Sequence, residues 1–170
     1  VVRVSARYVQ ADGKAPESQP AAVYDWYYFH DRPLILARSV VRQQQAQEWH
    51  EAHFLELGFS TNGFSRWAGG EPRQERPFLG KDEAHRFNRW GAVIEGRDAI
   101  GMFDAGPVSI YDGRGYGRYL HAQSDAAWQG WSTTQFERSA WLWIGTDDKP
   151  AESLAGLAAF APGRARVPCE

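Results

Sequence analysis

The segment from Trp49 to Glu56 carries two histidines and two carboxylates. On a strand, whose side chains alternate between faces, Trp49, Glu51 and His53 share one face. A carboxylate beside a histidine orients the imidazole by a hydrogen bond and raises its basicity, as general acid/base chemistry needs. We therefore predict that Glu51 and His53 are catalytic. The alternative is a set of polar groups satisfied at a strand edge.

The histidines of this segment, His50 and His53, resemble a zinc-binding pair at first sight. A metalloprotease helix places two histidines four residues apart on one face, whereas these two are three apart and on a strand would point to opposite faces. We predict no transition-metal site. A calcium ion held by the loop carboxylates Asp82 and Glu83 is the alternative, although no calcium-loop signature surrounds them. We expect no other cofactor.

A second group of reactive side chains lies in and after the glycine-rich stretch 112–119. The stretch lacks the Lys-Ser/Thr ending of a P-loop and no helical pattern follows it, which indicates a wide loop between strands. The guanidinium of Arg114 can bind a carboxylate, and the phenols of Tyr116 and Tyr119 supply hydroxyl donors. We predict that Arg114 and Tyr116 are catalytic. We predict that Tyr119 and His121 bind substrate.

Aromatic side chains make up 14% of the 170 residues, and many stand beside charged or amide residues. A sugar ring has an apolar face and a rim of hydroxyls, so its receptor needs flat rings flanked by polar groups. We predict that Trp49, Arg66 and Trp67 bind sugar in this way, with Trp67 stacked on a ring. The alternatives are core packing for the aromatics and a solvated charge for the arginine.

Charge and cysteine content limit the classes of protein. Nineteen basic and 21 acidic residues give a net charge of −2 without a long run of either sign, which argues against nucleic acid or an anionic membrane as a partner. The single cysteine, Cys169, allows no internal disulfide. No apolar stretch reaches the roughly 20 residues of a membrane helix. The chain opens with Val1 and not Met, so we expect a mature piece or a fragment.

Short strand-like runs separated by turn residues must position these side chains. The clearest hairpin joins 90–95 to 99–103 through Gly96-Arg97-Asp98. Residues 60–88 carry four glycines and two prolines, and we predict that they form an extended loop that holds the main site. Further strands are predicted at 1–10, 22–30, 34–43, 49–59, 107–111, 118–122 and 140–145.

The number and spacing of these strands favour an all-β fold, an antiparallel β-sandwich with long loops. After the last strand, Asp147 and Pro150 suit the start of a helix, and apolar residues then recur at helical spacing. We predict one domain over residues 1–170, with a short helix at 150–161 and a tail at 162–170.

Three segments carry a resemblance to a known family. Asp25-Trp26-Tyr27-Tyr28, the run 32–41 and the run 49–57 resemble the interior of a galactose-mutarotase-like β-supersandwich, over residues 23–145. Such domains occur in many bacterial polysaccharide lyases and glycoside hydrolases. The resemblance implies Tyr, His and Arg or Asn around an acidic sugar in a lyase, or His with Glu in a mutarotase. The chain is shorter than a whole supersandwich, so we expect further segments of the same enzyme as partners.

The residues and the resemblance together favour lyase-type cleavage of an acidic polysaccharide or oligosaccharide. In this hypothesis Arg114 or Arg66 neutralises the uronate carboxylate, and a Tyr or His removes the α-hydrogen. A glycoside hydrolase is one alternative, which needs two carboxylates roughly 5 or 6.5–9.5 Å apart. A non-catalytic carbohydrate-binding or structural β-sandwich is the other. We expect a secreted or periplasmic location.

Overall fold

A computed structural model describes residues 1–48, 53–60, 63–115, 117–123 and 133–160. Within these residues the chain forms ten strands and one helix. They are β1 (Val2–Arg7), β2 (Ala21–Tyr28), β3 (Leu34–Arg42), β4 (His53–Phe59), β5 (Arg66–Gly69), β6 (Gln74–Pro77), β7 (Glu83–Glu95), β8 (Asp98–Asp112), β9 (Arg118–Gln123), β10 (Gln135–Thr146) and α1 (Pro150–Phe160). The predicted all-β class with one short helix is confirmed.

All the strand pairs of this sheet are antiparallel, in the order β1-β2-β3-β10-β8-β7-β5-β6, with β9 between β8 and β4. The first half of β8 pairs with β10 and its second half with β9, so the sheet forks along β8. The register of β7 against β8 shifts between Asn88 and Trp90, where Arg89 has a φ of 74°. Because a bulge bends and twists a strand pair, the sheet curls over itself at this point.

The inner face of the curled sheet forms the larger hydrophobic core. Side chains alternate between the two faces of a strand, so every second residue of the central strands points inward. The buried residues of this core include Leu55, Val93, Met102, Val108, Ile110, Leu120 and Leu142.

The outer face carries a second core, which helix α1 covers. Leu154 packs there with Trp90 and Phe103. A Cβ atom at Gly101 would lie 2.7 Å from Cδ2 of Leu154, so the glycine allows the helix to approach the sheet closely. The helix begins at Pro150, whose fixed φ suits a first turn. Within the residues that the structure describes, no helix has the length and hydropathy needed to span a membrane.

The predicted loop at 60–88 is wrong, because β5, β6 and the start of β7 occupy about half of it. β5 and β6 have only four residues each, and β5 is held by hydrogen bonding to β7, which comes later in the chain. Short strands of this kind depend on tertiary partners and leave a weak local pattern. The two runs predicted at 99–103 and 107–111 are one strand, β8. The start of the predicted strand 49–59 and the tail lie outside the described residues.

The edge strand β1 is tied to β2 by an ion pair. Arg3 donates from Nε to Oδ1 of Asp25 at 2.6 Å and from Nη2 to Oδ2 at 2.9 Å. These hydrogen bonds hold the pKa of the buried Asp25 carboxyl below its ordinary value, although burial acts in the opposite direction. The pair therefore stabilises the fold above the unfolded-state pKa of about 3.9, and this contribution is lost as the pH falls through the folded-state pKa.

We expect Asp25→Asn to lower the urea midpoint of unfolding at pH 7, and the difference from the wild type to shrink as the pH falls below about 4. Urea titrations followed by circular dichroism between pH 2.5 and 7 measure both midpoints. Asp31→Asn is the matched control, since that carboxylate is largely exposed. A difference that stays constant down to pH 2.5 would show that the carboxylate charge is not responsible.

Candidate functional site

A row of polar side chains crosses four neighbouring strands on the outer face of the sheet. The register places Glu56 of β4 opposite His121 of β9, His121 opposite Ser109 of β8, and Ser109 opposite Arg86 of β7. We call these four residues the polar row. Directly opposed residues have Cβ atoms about 4.5–5.5 Å apart, so each side chain is within reach of the next.

The alternation of each strand explains why these four side chains face outward together. For each of these four residues, at least one of its two neighbours in the sequence belongs to the inner core. These inward neighbours are Leu55 and Leu57 on β4, Leu120 and Ala122 on β9, Val108 and Ile110 on β8, and Phe87 on β7. Because burial of these apolar residues fixes the register, it also fixes the row.

Burial within the row is uneven. His121 and Ser109 are each 1% exposed, whereas Glu56 and Arg86 at the two ends are exposed. An imidazole that is withdrawn from bulk water thus lies in a row that ends in one exposed carboxylate and one exposed guanidinium. In such surroundings electrostatic interactions are stronger than they are in water.

Two tyrosines lie beside the polar row. Tyr119, two residues before His121 on β9, is opposite both Gly58 and Tyr111. A Cβ atom at Gly58 would lie 3.3 Å from Cε1 of Tyr119, so the glycine leaves room for the phenol ring. The rings of Tyr111 and Tyr119 have centroids 6.0 Å apart. Both tyrosines are half-buried.

The polar row and the two tyrosines form one surface, which we call the outer-face site. It combines groups that transfer protons, the imidazole and the phenols, with a guanidinium that binds anions. It consists of Glu56, Arg86, Ser109, Tyr111, Tyr119 and His121.

Two of the predicted site residues, Tyr119 and His121, belong to the outer-face site. Arg114 lies elsewhere: its backbone N–H donates to Oδ1 of Asp82 at 2.8 Å and its Nε to the carbonyl of Gly80 at 3.0 Å. This exposed guanidinium is therefore held at the 80–82 loop, and its catalytic role stays a prediction.

Four further predicted residues are placed only in part or not at all. His53 is the first residue of β4 and its backbone pairs with Gln123. Trp49, Glu51 and Tyr116 lie outside the described residues. The predicted roles of these four residues stay predictions.

Trp67 requires a correction, since it is a core residue. It is 2% exposed, and its ring stacks on that of His85 with centroids 4.3 Å apart, while Phe87 packs at 5.5 Å. Its indole therefore offers no free face to a sugar. Burial lowers the pKa of His85, against the opposing effects of Glu83 and Asp112.

Arg66 lies beside Trp67 in a groove of about 280 Å³ between the β5–β6 hairpin and the start of α1. Its Nε lies 3.0 Å from Oε1 of Glu75, and its Nη2 donates to the carbonyl of Gly96. On the helix side of the groove, Lys149 pairs with Glu152 at 3.2 Å. Arg66 is thus paired with its own hairpin and with the β7–β8 turn, and binding of a ligand by Arg66 stays a prediction.

Metal ligands are not grouped in the described part of the chain, where no three His, Cys, Asp or Glu side chains come together. Asp82, one of the two predicted calcium ligands, accepts a hydrogen bond from the backbone of Arg114. Calcium binding by Asp82 and Glu83 stays an untested prediction.

Sequence reasoning missed four members of the site, Glu56, Arg86, Ser109 and Tyr111. A signal was present for Arg86, because Ala84-His85-Arg86-Phe87 alternates between outward and inward residues as a strand does. Ser109 lies between two apolar residues, Val108 and Ile110, on what proved to be a central strand. Nothing in its own segment distinguishes it from an ordinary polar residue.

Comparisons with known proteins leave the function to the geometry of the site. No protein-family model matches the chain, and a search of the curated proteins found no match either.

Proposed function

We propose that the chain belongs to an enzyme that cleaves an acidic polysaccharide by β-elimination at the outer-face site. The observation that supports this proposal is the alignment of Glu56, His121 and Arg86 on one face, beside Tyr119 and Tyr111. A uronate lyase needs these types of group: a cation for the carboxylate and a proton-transfer group beside it.

Binding of the uronate begins at Arg86. Its exposed guanidinium presents a planar set of donors that matches a carboxylate in a bidentate contact. Neutralising the carboxylate stabilises the negative charge that develops when the hydrogen on the adjacent carbon, C5, is removed as a proton.

In this proposal Tyr119 handles that proton. Its phenolate oxygen takes the proton from C5, the electron pair forms the C4–C5 double bond, and the C4–O bond to the leaving sugar breaks. The same phenol then returns the proton to the leaving oxygen. The products are an unsaturated uronate and a new reducing end, and no further reactant is required.

His121 acts as a positioning residue behind Tyr119. It lies on the same face of β9, and Glu56 stands directly opposite it on β4. A carboxylate beside a histidine fixes the orientation of the ring and stabilises its charged form. In this proposal the buried imidazole fixes the position of the phenol of Tyr119 for the elimination.

Hydrolysis fits the outer-face site less well, because glycoside hydrolases use two carboxylates across the scissile bond. Among the six residues that make up this site, Glu56 is the single carboxylate. Binding without cleavage is the second candidate function, since half-buried tyrosines beside charged groups also suit a sugar that is only held.

Incubation of the protein with alginate, polygalacturonate, hyaluronate and a neutral glucan tests the proposal. We expect ultraviolet absorbance from the double bond of the unsaturated uronate, together with reducing ends, on at least one of the acidic polymers. Reducing ends without this absorbance would indicate hydrolysis and contradict the proposal. If neither signal appears on any acidic polymer, cleavage by this chain is ruled out for those substrates and binding is the remaining function.

A further inference from the structure

The groove between the β5–β6 hairpin and the start of α1 shares no residue with the outer-face site, and its volume is about 280 Å³. The strand register places Glu75 opposite Ala68 of the outer core, so Glu75 faces the side that α1 covers. Arg76, the next residue, is opposite Trp67 of the inner core and faces away from the groove. Three basic and three acidic side chains line the groove, those of Arg66, Arg73, Lys149, Glu75, Asp148 and Glu152.

Each of the three carboxylates in the groove has a cationic partner. Two of the ion pairs, Arg66 with Glu75 and Lys149 with Glu152, lie within the groove. The third carboxylate pairs at 2.6 Å with Arg97, which lies in the turn between β7 and β8 and does not line the groove. With Arg97 included, four cations face three carboxylates, so the groove carries one positive charge in excess.

Two arginines of the groove have donors that are not used within the described residues. Arg73, an exposed residue in the turn before β6, forms no ion pair or hydrogen bond there through its side chain. The Nε–H of Arg66 is buried and lies 3.0 Å from Oε1 of Glu75, but it is not aligned with that oxygen and has no hydrogen-bond acceptor. Because a buried donor without an acceptor is unfavourable, an acceptor atom on a ligand would remove this cost.

We infer that this groove binds a small carboxylate that carries hydroxyl groups, a sugar acid of about one ring. The guanidinium of Arg73 and the Nε–H of Arg66 supply donors for the carboxylate. The carboxylate oxygens of Glu75 and Glu152 can accept hydrogen bonds from the hydroxyl groups. One excess positive charge balances a monoanion, whereas the three carboxylates of the groove would repel a dianion. The inference goes beyond the proposed cleavage and does not depend on it.

Arg73→Gln and Arg76→Gln form a matched pair for the test. Both arginines are exposed and belong to the same hairpin, but only Arg73 lines the groove. The wild-type protein and both variants are labelled with ¹⁵N and titrated with sodium glucuronate, glucose or inorganic phosphate at constant ionic strength. Two-dimensional NMR follows the backbone N–H of Ala151 and the Nε–H of Arg66, and the shifts of these signals give the Kd of each ligand.

We expect glucuronate to shift both signals of the wild-type protein until they saturate, and glucose to shift neither. Arg73→Gln should raise the Kd for glucuronate about tenfold, and Arg76→Gln should leave it at the wild-type value. Equal Kd values for the three proteins, or shifts that do not saturate in the wild type, would overturn the inference. Phosphate that binds more tightly than glucuronate would overturn the assignment of the groove to a sugar acid.

Discussion

Tyr119→Phe is expected to lower kcat for cleavage of the acidic polymer by about 10²- to 10⁴-fold, which is the usual contribution of a positioned acid/base group. The substitution removes one hydroxyl and keeps the ring that lies over Gly58. Binding of the uronate depends on Arg86, so KM should change little. Initial rates of absorbance increase at several polymer concentrations measure both constants.

The same substitution at Tyr28 is the control, because this exposed phenol is on the other face of the sheet. Tyr28→Phe should keep the wild-type kcat. Circular dichroism and the urea midpoint of both variants show whether the fold is intact. A Tyr119→Phe protein that is folded and cleaves at the wild-type rate would remove Tyr119 from the chemistry.

Local sequence patterns were sufficient to predict part of the fold. The hairpin from β7 to β8 could be predicted because two apolar runs flank a short turn, and Gly96 has the positive φ of 56° that such a turn favours. The start of α1 was also predictable, since Pro150 and the acid before it mark a first helical turn. In both cases the information lies within a few neighbouring residues.

Other parts of the fold depend on contacts between distant segments. The four residues of β5 form a strand because β7 pairs with them, and Trp67 is buried because His85 and Phe87 pack on it. The glycines and prolines nearby indicate turns, and the turns were read as one long loop. Whether an aromatic ring faces solvent is a tertiary property that residue type alone does not determine.

The candidate site, like the fold, could be predicted only in part from local sequence. Tyr119 and His121 were chosen for their chemistry, and alternation along β9 correctly puts them on one face. Their meeting with Glu56 and Arg86 follows from the strand order β4-β9-β8-β7, which brings together residues far apart in the chain. No motif in a single segment encodes that order.

Trp90→Ala is expected to destabilise the protein by about 3–5 kcal/mol, the range measured for removal of a buried Trp or Phe side chain. Trp90 is 1% exposed in the outer core under α1. Its Nε1–H donates to the carbonyl of Gly70 at 3.1 Å, so truncation also leaves that carbonyl without its donor. The free energy of unfolding of a typical protein is roughly 5–15 kcal/mol. A loss of this size should therefore lower the melting temperature by about 10 °C.

Trp90→Phe separates packing from hydrogen bonding. Phenylalanine fills most of the space beneath α1 but has no N–H for the carbonyl of Gly70, so this variant should lose only about 1–3 kcal/mol. Urea unfolding curves of the three proteins give the two differences. If both variants lost the same free energy, the hydrogen bond to Gly70 would account for the whole effect. If Trp90→Ala lost less than about 1 kcal/mol, the contact between α1 and the sheet would not stabilise the fold as the buried area implies.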